Sequence, residues 1–330
     1  ARFSANSGQF IAPFPANVGS YNDIITSVSG YNSAVYAGTN TAASTSGTYM
    51  LMHLFNTKLN NFNNFFNDFN LSKKWDNVKV NAGLYKGVQN ISMSWLWNSY
   101  LQEVSDNNAR MIDVKNASGQ SLSPNGLLAY GVPAWGNCCT RNYDTKYDVT
   151  APYAQIEVNA IDKLSLDFGA RYDIGNVTGS FAGGNGQTSA IDMNGNGTID
   201  PNENNVATVG NNITPVNYDY NIFGYSVGAN YAINDKNAVF ARISKGGSAS
   251  ADRILFSGYN YTNTDDKALD AVKVNEVKQM EGGYKLRGAD YYLNTTVFYA
   301  NTIEANYEAT TQKKTENNYK SVGLELDGYY

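Results

Sequence analysis

The chain has 330 residues and a formal net charge of −5, so length alone allows one or two domains. Charged residues are only 16%, below the roughly 25% usual in soluble domains, and hydrophobic residues are 42%. The mildly acidic balance, with no basic cluster along the chain, argues against nucleic-acid binding. No run of 18 apolar residues occurs, which excludes a transmembrane helix but not a membrane β-barrel, whose strands are apolar only at alternate positions.

Residues 1–60 read as a loop-rich segment of Ser, Thr, Asn and Gly, with a short apolar patch at Met50–Phe55. A weak strand is expected at Asn60–Ser72, with Phe65, Phe69 and Leu71 on one side, and a turn at Lys73–Asp76. Asn77–Lys86 follows, with Val78, Val80, Ala82 and Leu84 on its apolar side. A long insertion at 87–147 holds Ile91, Met93, Trp95 and Trp97 in alternation, which reads as a strand extension or local hairpin, then Gly, Pro and the adjacent pair Cys138 and Cys139. Neighbouring Cα atoms lie about 3.8 Å apart, less than the roughly 4.4–6.8 Å of ordinary disulfides, so a bridge between them would be strained.

Asp148–Ala160 and Lys163–Asp173, joined at Ile161-Asp162, form a hairpin, and Tyr153–Ala160 with Lys163–Asp173 is the clearest strand pair in the chain. Leu164, Leu166, Phe168, Ala170 and Tyr172 fall on one face of the second strand, and Ser165, Asp167, Gly169, Arg171 and Asp173 on the other. A period of two over that length marks a strand with one apolar and one polar side. A second long loop covers 174–217. Tyr218–Ala232 and Asn237–Lys245 form the next hairpin, a third loop spans 246–273, Val274–Leu286 and Tyr291–Asn301 form another, and a loop at 302–318 leads to Tyr319–Tyr330.

About nine strands result, most of them near the 9–11 residues that a membrane-crossing strand needs. Short polar turns alternate with long loops, as in outer-membrane barrels with turns in the periplasm and loops outside the cell. The expected fold is therefore all-β: a transmembrane, antiparallel, up-and-down β-barrel, here about nine strands of a larger one. Its apolar rows would face lipid. The opposite face, with Gly169, Gly224, Gly228 and Gly283 beside Asp167, Arg171, Arg242, Glu281 and Lys285, would line the lumen.

Several segments then carry a family resemblance. They are Ala151-Pro-Tyr-Ala-Gln-Ile-Glu with Lys163-Leu-Ser-Leu-Asp-Phe-Gly-Ala-Arg-Tyr-Asp, Ala238-Val-Phe-Ala-Arg-Ile-Ser-Lys-Gly with Asp252-Arg253 beyond it, and Lys320-Ser-Val-Gly-Leu-Glu-Leu. In order and spacing they resemble the barrel of TonB-dependent outer-membrane receptors. That resemblance implies a barrel of 22 strands, a plug domain, a bacterial outer-membrane location, and uptake of a scarce nutrient such as an iron chelate, cobalamin or a glycan. It also implies an energising TonB-type partner. No plug or partner-contacting box is recognised here, so the chain reads as an internal barrel portion over 1–330. Transport rather than catalysis is expected.

One loop carries chemistry. Asp192-Met-Asn194-Gly-Asn196-Gly197-Thr198-Ile199-Asp200-Pro-Asn-Glu203 matches the spacing of a twelve-residue calcium loop. Asp192, Asn194 and Asn196 would give side-chain oxygens, Thr198 its backbone carbonyl, Asp200 a direct or water-mediated oxygen, and Glu203 a bidentate carboxylate. Gly197 stands where the chain must turn sharply. Without flanking helices, a structural Ca²⁺ that orders an extracellular loop is expected, with an affinity of about 10⁻⁴–10⁻³ M. His53 is the only histidine and reads as a structural or solvated loop residue. Trp95, Trp97, Tyr100 and Trp135 read as packing residues before ligand-stacking ones. Two other functions share some of these features: a secreted calcium-containing β-sandwich that binds carbohydrate, and a surface barrel or adhesin without transport.

Overall fold

The hydrogen-bond ladders of β-strands account for most of the chain. The structure is a computed structural model that describes residues 2–4, 9–105, 107–133, 136–137, 140–211, 213–250, 262, 267–308 and 313–330. The strands are β1 (Arg2–Ser4), β2 (Gln9–Ser20), β3 (Ser33–Tyr36), β4 (Thr48–Lys74), β5 (Val78–Glu103), β6 (Ile112–Lys115), β7 (Leu127–Ala129) and β8 (Arg141–Ile161). They continue with β9 (Leu164–Ser189), β10 (Val206–Val209), β11 (Thr214–Asn234), β12 (Asn237–Ala249), β13 (Val274–Arg287), β14 (Tyr292–Glu308) and β15 (Lys313–Tyr329). The main sheet runs β1-β2-β4-β5-β8-β9-β11-β12-β13-β14-β15, with β7 on β5 and β10 on β9; β3 and β6 pair separately. All nine expected strands are present, in sequence order and antiparallel where their registers are resolved. The architecture is the wall of a partial up-and-down barrel.

The segments expected as loops differ in extent. β4 begins at Thr48, β5 continues to Glu103, β8 begins at Arg141 and β9 continues to Ser189. The segment 1–60 also contains β2, β3 and a helical turn at Tyr21–Ile24. The extension of β5 follows the alternation of Ile91, Met93, Trp95 and Trp97, whereas those of β4, β8 and β9 lack a clean apolar alternation and leave no period in the sequence. Cys138, Cys139, Trp135, Asp252 and Arg253 lie outside the described residues.

The residues group into two compact units. The first comprises 1–62, 91–144 and 180–214. Its core is a cluster of Tyr21, Ile24, Ile25, Tyr36, Tyr49, Leu101, Ile112 and Val114, all buried. Ser20 caps the helical turn, accepting from Asp23 N while its own N–H donates to the Asp23 carboxylate at 3.0 Å. That reciprocal pair satisfies two otherwise orphaned donors. The Tyr21 and Tyr31 hydroxyls meet at 3.0 Å, and Tyr49 donates to Ser44 O at 2.7 Å. Arg110 lies 3.3 Å over the Tyr36 ring and holds Glu103 through two N–H groups at 2.8 and 3.0 Å. This ion pair keeps the Glu103 carboxyl below its usual range.

The second unit comprises 63–90, 145–179 and 215–330, and here the register is informative. Ala229 lies opposite Ala241, Ala241 opposite Gly282, Gly282 opposite Val297 and Val297 opposite Leu324. The neighbouring row is Val227, Ile243, Met280, Tyr299 and Val322. Opposed residues share a face, so both rows lie on one side. Their large side chains are exposed: Met280 55%, Val297 55%, Val322 76% and Leu324 62%. Phe168, Phe223 and Tyr231 are exposed as well. A water-soluble sandwich would bury this face.

The opposite face is polar and close-fitting. Gly283 lies where a Cβ would sit 2.5 Å from the Phe240 ring, and at Gly323 it would sit 2.4 Å from the Phe298 ring. Each glycine therefore leaves room for an aromatic ring from the neighbouring strand, and Gly283 also for Thr295 O, which lies nearer still to the same Cβ position. The two faces forecast opposite responses to charge. For the chain inserted in vesicles, Val297→Arg is expected to lower stability by ~2–4 kcal/mol, the cost of a guanidinium at bilayer mid-depth. Thr296→Arg, one residue earlier on the polar face, should stay within about 0.5 kcal/mol. Urea titration of the folded fraction checks both, and equal losses would contradict the assignment of faces.

Candidate functional site

Three places gather polar chemistry. The first is the polar face of the second unit, where a hollow of about 620 Å³ is lined by Asp68, Tyr153, Asp167, Arg171 and Arg242 among others. Arg242 stands between two carboxylates, 3.5 Å from Asp167 and 3.8 Å from Glu281. Arg171 binds Asp173 through Nε at 2.9 Å and Nη2 at 2.7 Å, and its guanidinium lies 4.8 Å over the Tyr85 ring. The Tyr153 hydroxyl donates to Asp68 at 2.7 Å and accepts from Asn70 Nδ2 at 3.0 Å. Alternation along the strands brings these groups to one side, as expected from the sequence. The result is a wall of fixed charges of both signs.

The second place lies in the first unit. A cavity of about 620 Å³ is lined by His53, Ser99, Leu101, Leu122, Leu128 and Asn202 among others. His53 is not a loop residue: it sits within β4, fully buried. Ser99 Oγ donates to Gly131 O at 2.8 Å and lies 3.0 Å from His53 Nδ1. With the hydroxyl proton committed to the carbonyl, Nδ1–H is the donor to Ser99. Burial depresses the imidazole pKa. Nearby, Trp95 and Trp97 pack on Phe55 at 4.4 and 5.1 Å between ring centroids, and Arg141 lies 4.7 Å over Trp95. Tyr100 lies in β5, its hydroxyl pKa raised by burial.

The third place is the acidic loop between β9 and β10. Asp192 Oδ1 accepts from Gly195 N at 2.7 Å and Asn196 N at 3.2 Å, and its Oδ2 accepts from Gly197 N at 2.8 Å. Asn194 Oδ1 accepts from Asn196 N, and Asn196 Oδ1 from Thr198 N. The amides of Asn194 and Asn196 both donate to Asp200 Oδ2, at 2.9 and 3.0 Å. Glu203 is fully buried and accepts from Met193 N, Asn194 N and Asp200 N. Gly197 has φ +83°, a left-handed conformation at the position where the spacing demands a turn. Ile199 is exposed rather than packed. Among the described residues, no group of three or more His, Cys, Asp or Glu side chains is close enough to hold a metal. Asp192, Asp200 and Glu203 thus do not converge by themselves, and the loop is closed by its own hydrogen bonds.

The family model described as TonB dependent receptor-like, beta-barrel matches residues 3–330. The chain belongs to this family. A curated relative, the rhizobactin receptor of Rhizobium meliloti (strain 1021), is 31% identical over 162 residues, covering 46% of this chain and 20% of the relative. The chain therefore spans a fifth of that relative's length. Among solved structures, the ferric yersiniabactin uptake receptor FyuA from Yersinia pestis aligns with 90% of this chain and 43% of its own, at 14% identity and a TM-score of 0.38. The ferric-catecholate import receptor Fiu from E. coli K12 aligns with 86% and 44%, at 12% identity and a TM-score of 0.41.

The receptor chain's buried imidazole gives a pH forecast. Its folded-state pKa lies below the unfolded value near 6.5, so the unfolded state binds the proton first. Stability conferred by His53 is therefore complete above about pH 6.5 and falls as pH drops below it, by at most ~1.4 kcal/mol per pH unit. Thermal melts from pH 7.5 to 5 should show this fall, and His53→Gln should flatten it.

Proposed function

We propose that this chain is part of a bacterial outer-membrane transporter that takes up a scarce nutrient of the iron-chelate class, powered by a TonB-type complex. The observation that carries the membrane reading is the exposed apolar face formed by Val227, Ile243, Met280, Val297, Val322 and Leu324. Such a face is stable where hydrocarbon replaces water, because each strand's backbone groups are bonded to its neighbours. The iron-chelate class is supported by the curated relative's name, and cobalamin and glycans are the other substrate types to test. The reading is transport, not catalysis: the polar wall supplies ion pairs and hydrogen bonds that orient a solute. A secreted sandwich binding carbohydrate would need the apolar rows covered. Cell fractionation is the direct check. The protein is expected in the outer-membrane fraction, extracted only by detergent, with heat-dependent gel migration; recovery in a detergent-free soluble fraction would end the reading.

A calcium ion ordering the acidic loop belongs to the same proposal. It is supported by the twelve-residue spacing, by the turn at Gly197, and by the meeting of Asn194, Asn196 and Asp200 side chains. A cation there would replace two amide donors on Asp200 Oδ2, and the amides would rotate to present oxygen. Titration calorimetry should give Ca²⁺ binding near 10⁻⁴–10⁻³ M, of the order found in extracellular modules. Asp192→Asn and Glu203→Gln should weaken it at least tenfold, while Thr198→Ala, which keeps the carbonyl, should not. Absence of calcium-dependent heat in the unmodified protein would remove the ion from the account.

A further inference from the structure

The upper border of the apolar face carries a row of lysines that the sequence scatters. Lys245 on β12 lies opposite Lys278 on β13, Lys278 opposite Asn301 on β14, and Asn301 opposite Lys320 on β15. The row immediately beside it is Ile243, Met280, Tyr299 and Val322. Both rows share a face, since residues two apart on a strand point the same way. Adjacent strands lie about 4.8 Å apart, so Lys245 and Lys278 are neighbours and Lys320 stands about 10 Å beyond Lys278. Lys278 and Lys320 are exposed, while Lys245 is held by Glu276 at 2.6 Å.

We propose that this row binds the phosphate-bearing headgroup of a membrane lipid whose acyl chains lie along the apolar rows beside it. The inference rests on the membrane reading above. Two chemistries meet along one line: ammonium groups in register and, one row away, bare Met, Val and Ile. Their combined complement is an anionic amphiphile, not a free anion or a neutral lipid. Lysine suits the task, because its stem lies on apolar surface while its ammonium reaches the polar layer. One cation is already paired with Glu276, so Lys278 and Lys320 carry the net attraction. Their separation suits a headgroup with two phosphates, or two headgroups side by side.

The test uses the full chain in mixed vesicles of phosphatidylcholine with lipid A in its bisphosphorylated or monophosphorylated form, at 0.15 M salt or below. Bound lipid is read by mass spectrometry after gentle extraction. The unmodified chain should retain the bisphosphorylated lipid in preference to phosphatidylcholine. Lys278→Gln and Lys320→Gln should each reduce that preference about fivefold, the effect expected of one charge near an anionic surface, and the double variant about 25-fold. Lys278→Arg with Lys320→Arg should restore it, and Lys236→Gln, at a turn, should leave it unchanged. Equal retention by the unmodified chain and the double variant overturns the proposal while the chain still inserts. Complete displacement by millimolar inorganic phosphate also overturns it, in favour of a free-anion site. A chain that associates with no vesicle at all overturns the membrane reading itself, an outcome distinct from the other two.

Discussion

Register is the constraint on which this structure depends. From β12 to β15 the ladders run antiparallel with an unbroken one-to-one pairing. Because successive side chains point to opposite faces, that single alignment decides both surfaces at once. A slip of one residue on β14 would place Thr296 and Phe298 on the apolar side and Val297 among Arg242 and Glu281. Such an exchange is opposed from both directions. Hydrocarbon rejects the polar row, and the close fits of Phe240 on Gly283 and Phe298 on Gly323 exist in one register only.

The ion pairs on the polar face have a different role. Arg242, Asp167 and Glu281 remain partly exposed, with side-chain exposures of 48%, 27% and 21%. Pairs of that kind contribute little to stability once solvent screening is counted. Their effect is on the field at the wall. An arginine between two carboxylates, with Arg171 bound to Asp173 nearby, presents fixed dipoles rather than a patch of one sign. Such a wall sets hydrogen-bond donors and acceptors side by side.

How much of this was legible in the sequence follows from where water lies. The nine strands and their faces were readable because lipid on one side and a polar interior on the other impose a period of two. Leu164 to Asp173 shows it without a break. The continuation of β9 from Ile174 to Ser189 was not readable, because its composition follows no such division. The core of the first unit was hidden for another reason. Tyr21, Tyr49, Leu101 and Ile112 come from distant segments, and no local pattern announces their meeting. The burial of His53 has the same origin: Ser99 and Gly131 reach it from β5 and from the segment after β7. The lysine row is illegible in principle, since only the register brings positions 245, 278, 301 and 320 into line.

The acidic loop shows how a motif and a structure can divide the labour of one residue. A carboxylate offers about four acceptor positions. Glu203 already uses three of them on the backbone N–H groups of Met193, Asn194 and Asp200, two at Oε1 and one at Oε2. That satisfies a fully buried anion without any counterion, so the Glu203 end of the loop is held by its own hydrogen bonds. It also leaves Glu203 one free position, on Oε2. The bidentate grip expected from the spacing would then require Glu203 to release backbone donors, whereas a single bond through Oε2 would not. For the proposed calcium ion, a monodentate Glu203 removes one oxygen from the coordination shell, and water must fill the gap. A loop built this way favours weak, readily exchanged binding over tight sequestration.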